Sequence, residues 1–219
     1  MIQLVPPKPF QPQKRRADGV SGDGAVSDNG AVSDNSVSGK VKPALQVSQP
    51  EPEIERADRG RVVLFIDGAS LFYAAMQMEI EVDYARLLGK LSRGGRLIHS
   101  HFYTSVDPHN EKQKGFLYWM QCNSYRVITK DLVPSTTGGK RVSLNVEITV
   151  DMLRLAPYCD TMILVSGDGD LACAVDFITY QGVQTEVVGL RSMMSEHLIN
   201  VADYYTDLAT IRRTIQKAA

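Results

Sequence analysis

The chain has 219 residues, a formal net charge of −1 at pH 7 and 43% apolar residues, the composition of a soluble protein with one globular domain. No stretch approaches the roughly eighteen continuous apolar residues of a membrane helix, and Pro6, Pro7 and Pro9 stand where a signal peptide would be apolar, so we expect a cytoplasmic protein without membrane contact. The charge gives no support for bulk attraction to nucleic acid, and three widely spaced cysteines favour reduced, buried thiols over a disulfide framework or a zinc site.

Residues 1–60 are predicted to form a disordered tail. The segment is rich in Pro, Ser, Gly, Asp and Asn, has Phe10 as its single aromatic residue, and repeats residues 24–29 in residues 30–35. Such a composition cannot bury enough apolar surface to offset the entropy lost on ordering. Two six-residue units are too few for a solenoid, so the repeat is interpreted as low-complexity sequence. The tail is a candidate for contacts with protein partners.

Residues 61–219 are predicted to form one domain in which strands and helices alternate. Strands are expected at residues 62–66, 96–104, 125–132, 161–165 and 183–188. Helices are expected at residues 71–78, after Asp83 as N-cap, and at residues 108–123, 144–156, 171–181 and most of the remainder. Because each parallel crossover needs a helix to return the chain, the alternation predicts an α/β fold: a three-layer sandwich with a central parallel sheet.

Carboxylates directly follow two of the predicted strands. Asp67 ends the apolar run at residues 62–66, and Asp168 and Asp170 follow the run at residues 162–165 within the segment SGDGD. Because ligands of parallel sheets bind in the crevice beyond the carboxyl ends of the strands, these side chains are expected to converge. Unpaired carboxylates repel one another, so their convergence suggests a cation that neutralises them. Each one alone is weak evidence, because an Asp-Gly pair after a strand is most often a turn and Asp170 is explained as a helix cap.

A predicted helix adds polar side chains to this region. Asn145, Glu147 and Asp151 lie on it, and Glu147 and Asp151, four residues apart, share one face. Hard carboxylate oxygens suit Mg²⁺ or Mn²⁺, and several around one hollow suit metal-assisted attack of water on a phosphodiester. A solvated surface charge is the alternative for Glu147.

Basic and polar side chains near the predicted strand ends are candidates for binding phosphate groups. They are Lys130, Lys140, Arg141, Arg191 and Ser192. Lys and Arg there would position a polynucleotide backbone without reading its sequence. For each one alone a solvated charge is the alternative, and only clustering around the acidic residues favours phosphate binding. The loop at residues 133–139 is expected to be flexible.

His99 and His101 lie two apart on a predicted strand and therefore share one face. Metal ligation would need a third ligand, and none lies nearby in sequence. A structural role is the preferred interpretation.

Three segments resemble one known family. Residues 65–71 (FIDGASL), 145–152 (NVEITVDM) and 164–171 (LVSGDGDL) look like the NYN domain, a branch of the PIN-like nucleases, and the similarity continues through residues 183–188 and 198–203. It covers nearly everything after residue 60, in the form of the LabA-like group common in cyanobacteria. The resemblance implies a PIN-like fold, an acidic site that uses Mg²⁺ or Mn²⁺, RNA as the substrate and a link to the regulation of gene expression.

Two positions depart from the family pattern. The family usually has Asn where this chain has Ser70, and Asp where this chain has Asn145. Ser70 keeps a hydroxyl, whereas Asn145 replaces an anionic ligand with a neutral one; both stay candidates for substrate binding. The remaining catalytic and metal-binding candidates are Asp67, Asp151, Asp168 and Asp170, with Glu147 as a substitute metal ligand.

Two functions compete. A metal-dependent ribonuclease would use Asp67 and Asp168 as its principal ligands. The alternative is a regulatory module that binds RNA or protein without cleaving, for which Ser70 and Asn145 are the evidence. A haloacid-dehalogenase-type phosphatase is discounted because Ala69 stands where its second Asp is required.

Overall fold

The computed structural model describes residues 58–107, 109–132 and 142–218. The predictions for the tail before residue 58, for the loop at residues 133–139, and for Lys140 and Arg141 lie outside these ranges.

The described residues contain one six-stranded sheet. Its strands are β1 (Arg61–Asp67), β2 (Arg96–Val106), β3 (Arg126–Asp131), β4 (Thr161–Val165), β5 (Gln184–Gly189) and β6 (Tyr204–Asp207). The spatial order is β3-β2-β1-β4-β5-β6, and every pairing is parallel. The chain therefore builds outward from β1 in one direction and from β4 in the other. The direction of winding reverses between β1 and β4, and folds of this kind have their binding crevice beyond the carboxyl ends of the strands at that point.

Helices cover both faces of the sheet. They are α1 (Gly68–Gln77), α2 (Tyr84–Leu91), α3 (Glu111–Cys122), α4 (Asn145–Leu155), α5 (Ala172–Tyr180), α6 (Glu196–Val201) and α7 (Leu208–Ile215). Short 3₁₀ turns precede α5 and α6. The predicted α/β sandwich with a central parallel sheet is confirmed.

Two apolar clusters lie on opposite faces of the sheet. Val62, Leu64 and Ile66 of β1 pack with α1, α2, α3 and α7 on one face. Val63 and Phe65 pack with α4, α5 and α6 on the other. Alternate side chains of one strand point to opposite faces, so a buried central strand is apolar throughout. All five of these side chains are fully buried.

Several predicted elements differ from the structure. β6 occupies residues expected to be helical, and α3 begins at Glu111 rather than Pro108 because the side chain of Asn110 caps it, accepting a hydrogen bond from the backbone of Gln113. Asp83 caps α2 as predicted. Of the thiols expected to be buried, Cys159 is buried, whereas Cys122 and Cys173 are exposed.

The ordered domain includes Arg59, which the sequence places in the tail. Its guanidinium forms a 2.7 Å ion pair with Glu186 on β5, and the two side chains are only 11% and 4% exposed. A second guanidinium nitrogen donates to the carbonyl oxygen of Leu91 at 2.5 Å. Thr206 of β6 donates to the same Glu186 carboxylate. Residues just before β1 are therefore anchored to β5, two strands away in the sheet.

No helix in the described ranges is long and apolar enough to cross a membrane.

Candidate active site

Asp67 and the segment around Asp168 flank the crevice between β1 and β4. Asp67 is the last residue of β1, and Asp168 follows the end of β4 by three residues. Because β1 and β4 are paired directly, Ile66 beside Val165, the two carboxylates emerge from neighbouring strand ends. Polar groups at this point of an open parallel sheet lie where such folds bind ligands.

The carboxylate of Asp67 is fixed by four hydrogen bonds. Oδ1 accepts the backbone N–H groups of Ala69 at 3.0 Å and Ser70 at 3.3 Å, which makes Asp67 the N-cap of α1. Oδ2 accepts the hydroxyls of Ser70 at 2.6 Å and Ser166 at 3.1 Å. The capping requirement therefore explains why an acidic residue stands at this turn, and Ser70 supplies a donor that orients the carboxylate.

Ser166 links the two acidic strand ends. Its hydroxyl donates to Asp67 and also accepts the backbone N–H of Asp168 at 3.2 Å. The side chain is 1% exposed, so both bonds are formed away from bulk water. Sequence reasoning missed this residue because it considered only carboxylates in the SGDGD segment. Its place at the end of β4, level with Asp67 on β1, is the signal that could have identified it.

Asp168 contacts the first residue of α4. The side-chain amide of Asn145 donates to Oδ2 of Asp168 at 2.8 Å, and Oδ1 accepts the backbone N–H of Asp170 at 3.0 Å. Asn145 therefore lies beside the carboxylate of Asp168. Its amide oxygen accepts no hydrogen bond from any other described residue and remains available as a ligand atom.

Asp151 lies farther along α4 and has different partners. It follows Asn145 by six residues, which is about 9 Å of helix. The Tyr103 hydroxyl donates to its Oδ2 at 3.0 Å, and Arg154 lies 3.4 Å from its Oδ1. Burial, followed by the nearby charge of Asp151, raises the pKa of Tyr103 far above its ordinary value. Asp151 is thus held by β2 rather than directed to the partners of Asp67.

Glu147 and Lys130 form an ion pair. Nζ of Lys130 is 2.8 Å from Oε1 of Glu147 and 3.4 Å from the carbonyl oxygen of Ser143. The hydrogen bond from Lys130 is the main cause of a lowered pKa at Glu147. Oε2 of Glu147 is buried and has no hydrogen-bond partner among the described residues. Lys130, expected to bind phosphate, is therefore already neutralised by an expected metal ligand.

The remaining candidates lie apart from these contacts. Asp170 is exposed, and its carboxylate makes no hydrogen bond within the described part of the chain. Arg191 pairs with Glu196 at 2.5 Å, and the Ser192 hydroxyl accepts a hydrogen bond from Gln77 at 2.9 Å. Asp170 meets the Asp168 carboxylate only through its backbone N–H, and no contact among the described residues joins Arg191 or Ser192 to the carboxylates of Asp67 or Asp168.

Two glycines allow the loop after β5 to pack on the SGDGD turn. A Cβ at Gly167 would overlap the carbonyl oxygen of Met193, and one at Gly169 would lie 2.6 Å from the hydroxyl oxygen of Ser195. The backbone N–H of Ser195 also donates to the carbonyl oxygen of Gly167 at 3.0 Å. The loop after β5 therefore packs against the turn that carries Asp168 and stabilises it.

The residues of this site fit a divalent cation only if fewer carboxylates bind it than the sequence predicts. Among residues 58–107, 109–132 and 142–218, no three His, Cys, Asp or Glu side chains are grouped so that they could hold a metal ion. Asp67, Asp168 and Asp170, which the sequence predicts to converge, are not grouped in this way. Mg²⁺, however, commonly uses one or two carboxylates and completes its shell with water and substrate phosphate. Asp67, Asp168 and the amide oxygen of Asn145 match that smaller requirement.

Comparison with known proteins agrees with this architecture. The family model of the NYN domain matches residues 61–209. The chain is 31% identical over 166 residues to the low amplitude and bright protein LabA of Synechococcus elongatus. The alignment covers 72% of this chain and 88% of that protein. The crystal structure of VPA0982, a protein of unknown function from Vibrio parahaemolyticus, superposes with a TM-score of 0.61 at 23% identity, covering 68% of this chain and 92% of that one. At that identity the superposition supports the fold alone. The chain belongs to the NYN domain family.

Proposed function

We propose that this protein is a metal-dependent ribonuclease that hydrolyses RNA phosphodiesters, using Mg²⁺ or Mn²⁺. The observation that carries the proposal is the Ser166 hydroxyl, which contacts both Asp67 and the backbone of Asp168 where the sheet changes its direction of winding. Membership of the NYN family, a branch of the PIN-like nucleases, supports RNA as the substrate. The resemblance to the LabA-like group supports a role in the regulation of gene expression as part of this proposal.

Each residue of this constellation has a role that follows from its contacts. Asp67 and Asp168 would hold the cation, with the amide oxygen of Asn145 as a neutral third ligand. Ser70 and Ser166 fix the Asp67 carboxylate by donating to it. A divalent cation held by these residues would supply an activated water and stabilisation of the charge on the leaving oxygen.

A non-cleaving RNA-binding module is the second candidate, and one observation favours it. The Asn145 amide occupies Oδ2 of Asp168 with a neutral hydrogen-bond donor. The carboxylate is thus satisfied without a cation, and the site has less negative charge to attract one. The crevice would then bind a polynucleotide without hydrolysing it.

Cleavage assays on the full-length chain distinguish these functions. Parent protein is incubated with mixed-sequence RNA and Mn²⁺, and Asp67→Asn and Asp168→Asn are compared with Glu111→Gln as a matched control. Glu111 is an exposed carboxylate of α3 that pairs only with Lys114 among the described residues. We expect metal-dependent cleavage that falls by about a hundredfold or more in the two site variants, because several kcal/mol of charge stabilisation are lost.

Direct RNA binding, measured by fluorescence anisotropy, separates the remaining outcomes. RNA binding without cleavage by the parent would favour the second candidate. If the parent neither binds nor cleaves RNA, both functions are wrong. Equal loss of cleavage in Glu111→Gln would show that the variants do not report on the site.

A further inference from the structure

Half of the large apolar side chains that the described residues leave exposed lie on two neighbouring helices. On α4, Val146, Val150 and Leu153 are 71%, 47% and 39% exposed, and on α5, Phe177 and Tyr180 are 52% and 93% exposed. Their spacing is that of a single helix stripe, at intervals of three and four residues. We name these five residues the α4–α5 face.

Both stripes point away from the sheet. α4 buries Ile148 and Met152, and α5 buries Val175 and Ile178, in the same apolar cluster on one side of the sheet. The two helices also pack against each other. Each exposed stripe therefore lies on the outer side of its helix, and because α4 packs against α5 the two stripes are neighbours on that side of the sheet. Scattered apolar residues need no explanation, but a contiguous patch of this kind marks an interaction site.

The size of this surface fits a protein interface. Aromatic side chains remove roughly 150–250 Å² from water when they are fully covered, so Phe177 and Tyr180 would together contribute about 300 Å². Three aliphatic side chains extend this area. In a two-fold dimer the same patch is buried on both copies, and stable interfaces bury about 800 Å² per partner. The α4–α5 face supplies a large part of that requirement.

Charges beside the stripes indicate what covers them. Arg154 follows Leu153 on α4 with its side chain 65% exposed, and its contact with Asp151 is only a 3.4 Å ion pair. Asp176 precedes Phe177 on α5, is exposed, and has no hydrogen bond or ion pair with any described residue. One cation and one anion beside an apolar centre form a self-complementary pattern, since a two-fold axis brings each opposite the other.

We propose that the α4–α5 face is a homodimer interface, which binds the same face of a second copy of this chain across a two-fold axis. α4 packs on α5 of the second copy, with Phe177 and Tyr180 at the centre. Arg154 pairs with the partner subunit's Asp176, and the pair occurs twice. The proposal does not depend on RNA cleavage.

Sedimentation equilibrium of the full-length protein at micromolar concentrations tests the proposal. The parent should sediment at twice its monomer mass, and Phe177→Glu should raise the dissociation constant at least about thirtyfold, the effect of losing a central aromatic contact. Met76→Glu is the matched control, because Met76 is 54% exposed on α1, which covers the opposite face of the sheet. A monomeric parent, or equal weakening by Met76→Glu, would overturn the proposal.

A charge exchange tests the pairing itself. Arg154→Glu and Asp176→Arg should each weaken the dimer about tenfold, because each places like charges together across the interface. The double variant restores opposite charges and should return the dissociation constant to near that of the parent. Because any local effect of losing the Arg154 contact with Asp151 is present in the double variant too, recovery isolates the intersubunit pair. Failure of the double variant to recover would contradict this arrangement.

Thiol labelling shows whether the α4–α5 face is covered by a second copy of the chain or by another part of the same chain, such as the tail. Cys173 lies one turn before Phe177 and is exposed, and Cys122 on α3 is exposed elsewhere. Labelling of Cys173, resolved by mass spectrometry, should slow as protein concentration rises, while labelling of Cys122 should not change. Protection of Cys173 that is independent of concentration would mean that the chain covers its own face, and the dimer proposal would be wrong.

Discussion

The side-chain amide of Asn145 donates a 2.8 Å hydrogen bond to Oδ2 of Asp168. Two carboxylates at that distance would repel each other, whereas an amide and a carboxylate attract. The pair is therefore stable without a cation, and it carries less negative charge than two carboxylates would. The NYN pattern, which usually has Asp at position 145, implies a site that is less stable without a cation and attracts one more strongly.

Asn145→Asp should restore the dependence on metal. Without metal, the new carboxylate removes a hydrogen bond and adds like-charge repulsion, so we expect the melting temperature to fall. Mn²⁺ should reverse the fall, because a cation at about a hundred times its dissociation constant stabilises the folded state by roughly 2.7 kcal/mol. Thermal melts with and without Mn²⁺ check this, and RNA cleavage should rise in parallel.

Asn145→Leu serves as the control for this prediction. It removes the hydrogen bond without adding charge, so it should lower the melting temperature and show no larger Mn²⁺ response than the parent. If Asn145→Asp also shows no response beyond that of the parent, Asp67 and Asp168 do not form a cation site with position 145.

Gly167→Ala should destabilise the turn that carries Asp168. The added Cβ would overlap the backbone oxygen of Met193, which cannot rotate away as a side chain can. We expect a loss of about 1–3 kcal/mol in the free energy of unfolding, measured by urea denaturation, and weaker RNA cleavage. Gly115→Ala on α3 is the matched control, since its Cβ would meet nothing within 4 Å. It should stabilise the protein by about 0.5–1 kcal/mol because Ala favours a helix.

The boundary of the stable domain should lie before Arg59 rather than after Gly60. Removing residues 1–57 should leave the melting temperature nearly unchanged. Removing residues 1–60 leaves Glu186 buried without its cation, which costs about 3 kcal/mol or more and should lower the melting temperature by roughly 6–12 °C. Differential scanning calorimetry measures both.

Full-length Arg59→Ala should reproduce the effect of the longer deletion, whereas Asp58→Ala, at an exposed position, should not. Equal melting temperatures for the two truncated chains would show that the Arg59–Glu186 pair does not contribute to stability.

The extent to which the sequence predicts this fold depends on how local each signal is. β4 is predicted from Thr161 to Val165 and is observed over the same residues, because a buried parallel strand is an apolar run that turn residues delimit. β6 has no such run. Its four residues, from Tyr204 to Asp207, form a strand because β5 offers them a free edge, and the Tyr205 hydroxyl then donates to the carbonyl oxygen of Gly189. This pairing depends on tertiary structure, so the local sequence contains no pattern that predicts the strand.

The candidate site divides in the same way. Asp67 and Asp168 could be placed together because strand ends of one parallel sheet share an edge. Helix periodicity alone could not predict that Asp151 lies apart from them, because its hydrogen-bond partner depends on the distance between α4 and β2. Tyr103 bridges that distance, and an aromatic residue within a predicted strand gives no sign that its hydroxyl will reach a carboxylate. Lys130 likewise meets Glu147 only in the folded chain.

His101 should make the stability of this protein depend on pH. The ring is 1% exposed and stacks against both Phe65 and Tyr103, with centroid distances of 5.2 Å and 6.2 Å. Burial lowers the pKa of His101 to about 4, against a smaller opposing effect of the Asp151 charge. Nδ1 is buried without a hydrogen-bond partner among the described residues. The folded protein therefore holds this imidazole neutral.

The direction of the pH effect follows from the lowered pKa. Above about pH 6.5 the imidazole is neutral in both states, and it does not affect the free energy of unfolding. As the pH falls below that value, the unfolded chain binds a proton that the folded protein excludes, so stability is lost until the pH reaches about 4. His101→Phe keeps a ring in the stack but cannot titrate. Between pH 7.5 and pH 5, the parent should lose roughly 2 kcal/mol more than this variant in urea unfolding. Parallel pH profiles for the two chains would mean that His101 titrates alike in the folded and unfolded protein. The conclusion that the folded protein holds the stacked imidazole neutral would then be wrong.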